Sequence, residues 1–270
     1  MLIAIVVRLR SLGEGMVPAQ SGRANFAAVL DRLEAVDGAL VRAVHDSPDA
    51  KPLTCSGLLG LGAGVDRVPV ARGAQVTMRV TGLSAAMAAA LHEAFVARPL
   101  HAWSLLGHRF AVDGITCDSS VDAWSGYTDY PQLLAEAVAV GERKPSIRLE
   151  FATPVAFRSA GLTVPLPLPG LVFGSLLDRW NRFSPVPLDQ EVRAVAQAAV
   201  AVSQLRLESV PVPQKEKGLE IGSVGEMTYS YLGENAYWLH QLRVLAAYAV
   251  YSGVGLKTTM GMGQSCWRRW

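Results

Sequence analysis

Long hydrophobic runs are missing from this 270-residue chain. Arg, Glu or His interrupts every extended apolar stretch before the ~18 residues that a membrane-spanning helix needs, so no membrane partner is expected. The opening run Leu2 to Val7 meets Arg8 at once and is too short for a secretory signal. Cysteine is scarce: Cys55, Cys117 and Cys266 are odd in number and far apart. That excludes a disulfide framework and a zinc knuckle, and it points to a reducing cytosol. An excess of one charge is also lacking, since the formal net charge is only +2, well short of many nucleic-acid binders. No compact set of carboxylates or histidines stands at metal-ligand spacing, so neither a metal nor a cofactor is expected.

What the chain has is apolar residues, 50% of the total, enough for one or two real cores. Leu2 to Arg10 reads as a buried strand. Phe26, Val29, Leu30, Leu33, Leu40, Val41 and Val44 then recur at helical spacing from about Arg23 to His45, with a kink or break expected at Asp37-Gly38. Pro52 to Leu61 and Ala74 to Leu83 read as strands. Ser84 caps a second helix that runs to Val96 and stops at Pro99, and Arg109 to Cys117 alternates as a fourth strand.

The order strand, helix, strand, strand, helix, strand is ferredoxin-like. It begins again at Ser146 to Phe157. A turn over Pro165 to Gly170 leads to a helix through Val172, Phe173, Leu176, Leu177 and Trp180, and a second helical segment covers Leu188 to Val202. Gln204 to Val212 and Glu220 to Leu232 form a hairpin about the polar Gln214 to Gly218 turn. Asn235 caps the last helix. The expected fold class is α+β: two tandem ferredoxin-like domains, 1–141 and 146–270, with a C-terminal glycine-rich loop.

That loop is the most distinctive stretch. Gly253, Gly255, Gly261 and Gly263 bracket Lys257, Thr258 and Thr259. Glycines so close together allow positive φ and a backbone flush against a ligand, with bare N–H groups for phosphate oxygens; the lysine and two hydroxyls suit an anion. A nucleotide P-loop is excluded because Leu256, not glycine, precedes Lys257, and the residues after Thr259 do not read as a helix. A purely structural final loop is the competing reading.

Among the five histidines, His45 alone is followed closely by a lysine and several hydroxyls: Ser47, Lys51, Thr54 and Ser56. An imidazole can give or take a proton near neutral pH, and a lysine can stabilise a phosphorane-like charge. The pair suits RNA cleavage in which the ribose 2′-OH attacks its own phosphate. Its position equally suits a histidine that only serves the helix end. Arg23, Arg268 and Arg269 are candidate phosphate contacts, with solvated surface arginine the alternative for each. His92, His101, His108 and His240 read as surface or packing residues.

With these residues in view, the chain resembles the CRISPR-associated repeat-RNA endoribonucleases, the Cas six family of the RAMP superfamily. Ser252 to Gly263 is similar to that family's C-terminal glycine-rich signature. His45 to Ser56 is similar to its histidine-turn-lysine-proline segment, and Pro167 to Trp180 to a further family stretch. The resemblance implies paired ferredoxin-like domains in a prokaryotic cytoplasmic protein. It implies metal-independent cleavage of precursor CRISPR RNA within repeats, with His45 as general acid or base and Lys51 assisting. A tyrosine that some members carry on the first helix has no counterpart here; Leu30 and Asp31 occupy the region. Repeat RNA is the implied partner, and other Cas proteins of an effector complex and a homodimer are left open. A non-catalytic RNA-binding subunit is the alternative function, and an enzyme holding a phosphorylated small molecule on the glycine loop is a third reading.

Overall fold

A computed structural model describes residues 1–47, 50–61, 66–98, 100–139, 145–213 and 218–268. The chain forms two compact units. The first comprises Met1–Tyr127, Pro213–Gly218 and Thr258–Gly261; the second comprises Thr128–Val212, Leu219–Lys257 and Met262–Trp270. The boundary expected between 141 and 146 falls largely on residues 140–144, outside the described residues.

The first unit carries β1 (Leu2–Ser11), β2 (Gly15–Pro18), α1 (Gly22–Asp46), β3 (Leu53–Cys55), β4 (Arg67–Val70), β5 (Gln75–Gly82), α2 (Ala85–Leu91), β6 (Ala102–Leu105), β7 (His108–Thr116) and β8 (Gly126–Thr128). Its main sheet runs β3-β5-β1-β7-β6, and β2 pairs with β4 in a separate ribbon. β1 is central because all but Arg8 and Arg10 of Leu2–Ser11 are buried. It pairs antiparallel with β5 (Ile5 opposite Val80) and with β7 (Val7 opposite Ile115). Ile5, Val7, Val29, Leu33, Met78, Val80, Met87 and Phe110 share one core, each contributing about 1.5–3 kcal/mol by leaving water. Ser84 caps α2 by accepting the Met87 N–H at 3.2 Å. The helix expected to reach Val96 changes pitch instead, passing into a π-helical turn at His92–Ala97.

The second unit carries α3 (Tyr130–Ala139), β9 (Ser146–Val155), β10 (Phe157–Ser159), β11 (Leu162–Val164), α4 (Pro169–Phe183), α5 (Val192–Ala199), β12 (Val200–Pro213), β13 (Leu219–Tyr231), α6 (Ala236–Ser252) and β14 (Ser265–Trp267). The sheet order β12-β13-β9-β14 repeats that of the first unit, with β9 paired antiparallel to both neighbours. Both sheets therefore have the ferredoxin-like arrangement. α4 starts on Pro169 at its first turn, where the missing N–H costs nothing. Its face Val172, Phe173, Leu176, Leu177 and Trp180 is buried. Asn235 caps α6 through the Tyr237 N–H at 3.0 Å. Tyr130, Trp180 and Tyr248 interlock, the tryptophan meeting both tyrosines edge-on at 5.0 and 5.2 Å.

The helix expected over Leu188 to Val202 is shorter than its periodicity suggests. α5 stops at Ala199 and Val200 already opens β12, where β-branched residues gain more from sheet pairing than from a helix end. The short β10–β11 hairpin was not expected. Residues 214–217 of the polar turn, together with Pro48 and Pro99, lie outside the described residues. No helix among the described residues is long and apolar enough to cross a membrane.

Candidate active site

The break expected at Asp37-Gly38 exists and has a clear cause. Asp37 leaves helical geometry (φ −152°, ψ 86°), and its Oδ1 accepts the Leu40 N–H at 2.9 Å. It thus acts as an N-cap inside α1 and restarts the helix as a second arm ending in His45. Asp37→Ala is expected to cost about 1 kcal/mol and to speed amide exchange across 38–46, measured by hydrogen exchange with mass spectrometry.

His45 stands on the last turn with its side chain 78% exposed, Nδ1 lying 3.2 Å from Asp46 Oδ1. The Lys51 ammonium donates to the Val44 carbonyl and lies 3.4 Å from the carbonyls of both His45 and Ser47. Helix ends leave such carbonyls without internal donors, and a cation there satisfies them and meets the negative end of the dipole. The structure therefore brings Lys51 to the backbone of His45. Its charge is spent on the helix end that carries the imidazole. Arg23 is exposed on the first turn of the same helix, at the opposite end.

The glycine-rich stretch has the backbone expected of it and a different use for that backbone. Gly253, Gly255, Gly261 and Gly263 have φ of 62°, 77°, 96° and 70°, and Lys257 itself sits at 52°. Yet all four glycines are buried and their N–H groups are occupied. Gly253 donates to Ala249, Gly261 to Cys55 and Gly263 to Pro154, all to carbonyls, while Gly255 donates to Ser175 Oγ. The expectation that these N–H groups stand bare for phosphate is corrected. The folded chain itself consumes these donors.

The other charged candidates are also engaged. Lys257 Nζ lies 2.7 Å from Glu220, a nearly buried carboxylate that also holds Arg158 at 3.3 Å. Arg268 pairs with Glu150, whose hydrogen bond raises the guanidinium's pKa. Arg269 lies outside the described residues. Thr258 is buried and Thr259 half-buried on a 3₁₀ turn, Thr258–Met260, that packs on the start of α1 within the first unit. Arg23 and the two threonines thus belong to contacting elements. His108, read as a packing residue, is half-buried with Nε2 2.6 Å from Ser11 Oγ.

Arg179 is the residue that sequence reasoning missed. Its Nη1 donates to Ser252 O (2.6 Å) and Gly253 O (3.2 Å) and its Nη2 to Gly255 O (2.6 Å). Burial pulls its pKa down to about 10, yet at neutral pH it remains a charged clamp on the loop's carbonyls. The available signal was its place beside Trp180 in the Pro167 to Trp180 segment. Arg179→Met is expected to cost about 3 kcal/mol, because three acceptors lose a charged donor; urea denaturation measures it. Among the described residues no group of three His, Cys, Asp or Glu could hold a metal ion.

Solved structures share this arrangement of tandem ferredoxin-like units. A solved RAMP protein described as binding different RNA substrates shares the fold at TM-score 0.63 and 14% identity, over 99% of this chain and 100% of that one. Residues 149–265 match the family model of the CRISPR-associated endoribonuclease Cas6. Over 117 residues the chain is 31% identical to the CRISPR-associated endoribonuclease Cas6 of Mycobacterium tuberculosis, a match covering 43% of this chain and 37% of that protein's length. Thermus thermophilus Cas6, solved as a product complex, superposes at TM-score 0.80 with 25% identity, over 99% of this chain and 100% of that one. A second Cas6 product complex gives 0.73 and 26%, over 99% of each chain. The chain is thus similar to Cas6 endoribonucleases in part of its sequence and in its fold, in line with the resemblance in its sequence.

Proposed function

We propose that this protein is an endoribonuclease that cleaves precursor CRISPR RNA within its repeats, without metal, to release guide RNAs. The observation that carries this reading is His45, exposed on a capped helix end whose carbonyls are held by Lys51. A base removes the proton of the ribose 2′-OH, the oxygen attacks the adjacent phosphorus, and the 5′-oxygen leaves with a proton from an acid. The products are a 2′,3′-cyclic phosphate and a 5′-OH. The substrate supplies the nucleophile, so the protein needs only proton transfer and positioning.

His45 is the proton-transfer group in this proposal. Asp46 faces Nδ1, which leaves Nε2 for the exchange. Lys51 assists by fixing the turn and bringing a positive charge to the same end of the helix. In the family likeness, two Cas6 neighbours are product complexes and one is a histidine-to-alanine mutant. Repeat RNA is then the partner, met by Arg23 and Thr259, with buried Thr258 and the loop glycines acting through shape rather than through free N–H groups. A homodimer and other Cas proteins belong to the same reading, and sedimentation with and without RNA tests the first.

The deciding experiment incubates end-labelled repeat RNA with the protein in EDTA, beside RNA carrying a single 2′-deoxy at the mapped cut. Cleavage in EDTA that the 2′-deoxy abolishes is expected. Cleavage that requires a divalent ion, or that survives the 2′-deoxy, overturns the mechanism.

A further inference from the structure

Away from both ends of α1, the first unit holds a cavity of about 370 Å³ lined by Asp31, Arg32, Arg98, Trp103 and Ser104 among others. That volume lies within the roughly 300–1,000 Å³ of small-molecule sites. Its two guanidinium groups are held in place, Arg32 by backbone carbonyls and Arg98 chiefly by a carboxylate. Arg32 donates to Ala94 O (2.7 Å) and Arg98 O (3.3 Å) and lies 5.3 Å over the Phe95 ring. Arg98 reaches Ala35 O (3.4 Å) and pairs with exposed Glu93 (2.8 Å). Backbone carbonyls orient Arg32 without neutralising it, and among the described residues no carboxylate pairs with it. Burial chiefly, and the neighbouring Arg98 charge after it, lower its pKa, as expected of a partly desolvated cation beside another.

The third wall carries the other two elements of a base site. Trp103 is half-buried and fixed edge-on against Phe95 at 5.6 Å. Asp31 is exposed and makes no ion pair among the described residues, although two arginines line the same cavity. Ala94, which also lines the cavity, belongs to the π-helical turn His92–Ala97, a distortion found often at functional sites.

We propose that this cavity binds a guanine nucleotide, with the base on Trp103, its N1–H and N2–H edge on the Asp31 carboxylate, and its phosphate between Arg32 and Arg98. A carboxylate accepts two parallel donors, and among the four RNA bases only guanine offers an N–H and an amino group side by side. The flat aromatic accepts any base; Asp31 makes the choice. The nucleotide has two sources, a guanosine within RNA or a free mononucleotide, and the RNA source rests on the repeat-RNA reading above.

Calorimetric titration of the full chain with GMP, AMP, CMP, UMP and inorganic phosphate is the test. GMP is expected to bind at least about tenfold more tightly than the others. Asp31→Asn should reduce GMP to the level of AMP, and Arg98→Gln should erase the advantage of GMP over guanosine. GMP no tighter than inorganic phosphate, or full guanine preference in Asp31→Asn, overturns the proposal. RNA in which inosine replaces guanosine distinguishes the sources. If RNA fills the site, inosine weakens binding to the wild type but not to Asp31→Asn; if a free nucleotide fills it, GMP binds without altering RNA affinity. Wild-type cleavage is read separately, so a protein that cuts repeat RNA but shows no guanine preference in the titrations overturns this inference alone.

Discussion

His45→Ala is expected to reduce repeat-RNA cleavage by about 10²- to 10⁴-fold, the usual contribution of a positioned acid or base, with RNA affinity within about twofold of wild type. The asymmetry follows from where His45 stands. Its side chain is 78% exposed and its contact with Asp46 lies in solvent, where such pairs contribute little to stability. The helix end is held instead by the Lys51 ammonium on backbone carbonyls, which the substitution leaves in place. Single-turnover cleavage and fluorescence anisotropy on one preparation separate the two effects. Cleavage unchanged in the variant removes His45 from the mechanism; cleavage and binding lost together make it an RNA contact. Lys51→Ala should differ by loosening the helix end as well, visible as faster amide exchange over 38–46.

The largest expected loss of stability comes from Gly22→Ala. A Cβ there would lie 2.2 Å from Met260 O and 2.5 Å from Gly261 Cα, both backbone atoms of the 3₁₀ turn and its successor. Neither can swing aside as a side chain would, so α1 or the turn must move as a body. A cost of roughly 3 kcal/mol or more is expected, above the usual range for overpacking. Gly38 provides the control. Its added Cβ meets only the far ends of Glu34 and Arg42, and alanine is the better helix former, so Gly38→Ala should be neutral or stabilising by about 0.5 kcal/mol. Paired urea melts of the two variants read the contrast; equal stability would mean that the α1 start does not press on the turn.

The order of elements was legible because each half repeats two periodicities that differ sharply. Val76, Met78 and Val80 alternate as only a half-buried strand does, while Val172, Leu176 and Trp180 recur as only a helix face does. Local punctuation was legible too: Asp37-Gly38, Ser84 and Asn235 all act where short-range chemistry placed them. What stayed hidden is whatever depends on a distant partner. Nothing near Lys257 in sequence announces Glu220, and nothing near Arg179 announces the carbonyls of Ser252, Gly253 and Gly255. The glycine stretch was read correctly for its φ values and incorrectly for its free donors, because conformational freedom is a local property and hydrogen-bond occupancy is not. At Val200 a helical pattern of small residues ran into a strand, and only pairing with β13 decides that boundary.

The pairing of Ser265 with Phe151 and of Trp267 with Leu149 bears on how the protein is made. One side of β9 waits for β14, a partner that leaves the ribosome only after roughly a hundred further residues, and closure over that separation is slow. Throughout that interval the nascent second unit presents an open row of β9 backbone donors and acceptors, the kind of edge that recruits foreign strands. The interval, rather than the finished molecule, is when this chain is most exposed to misassembly, and ribosome stalling before residue 265 would lengthen it.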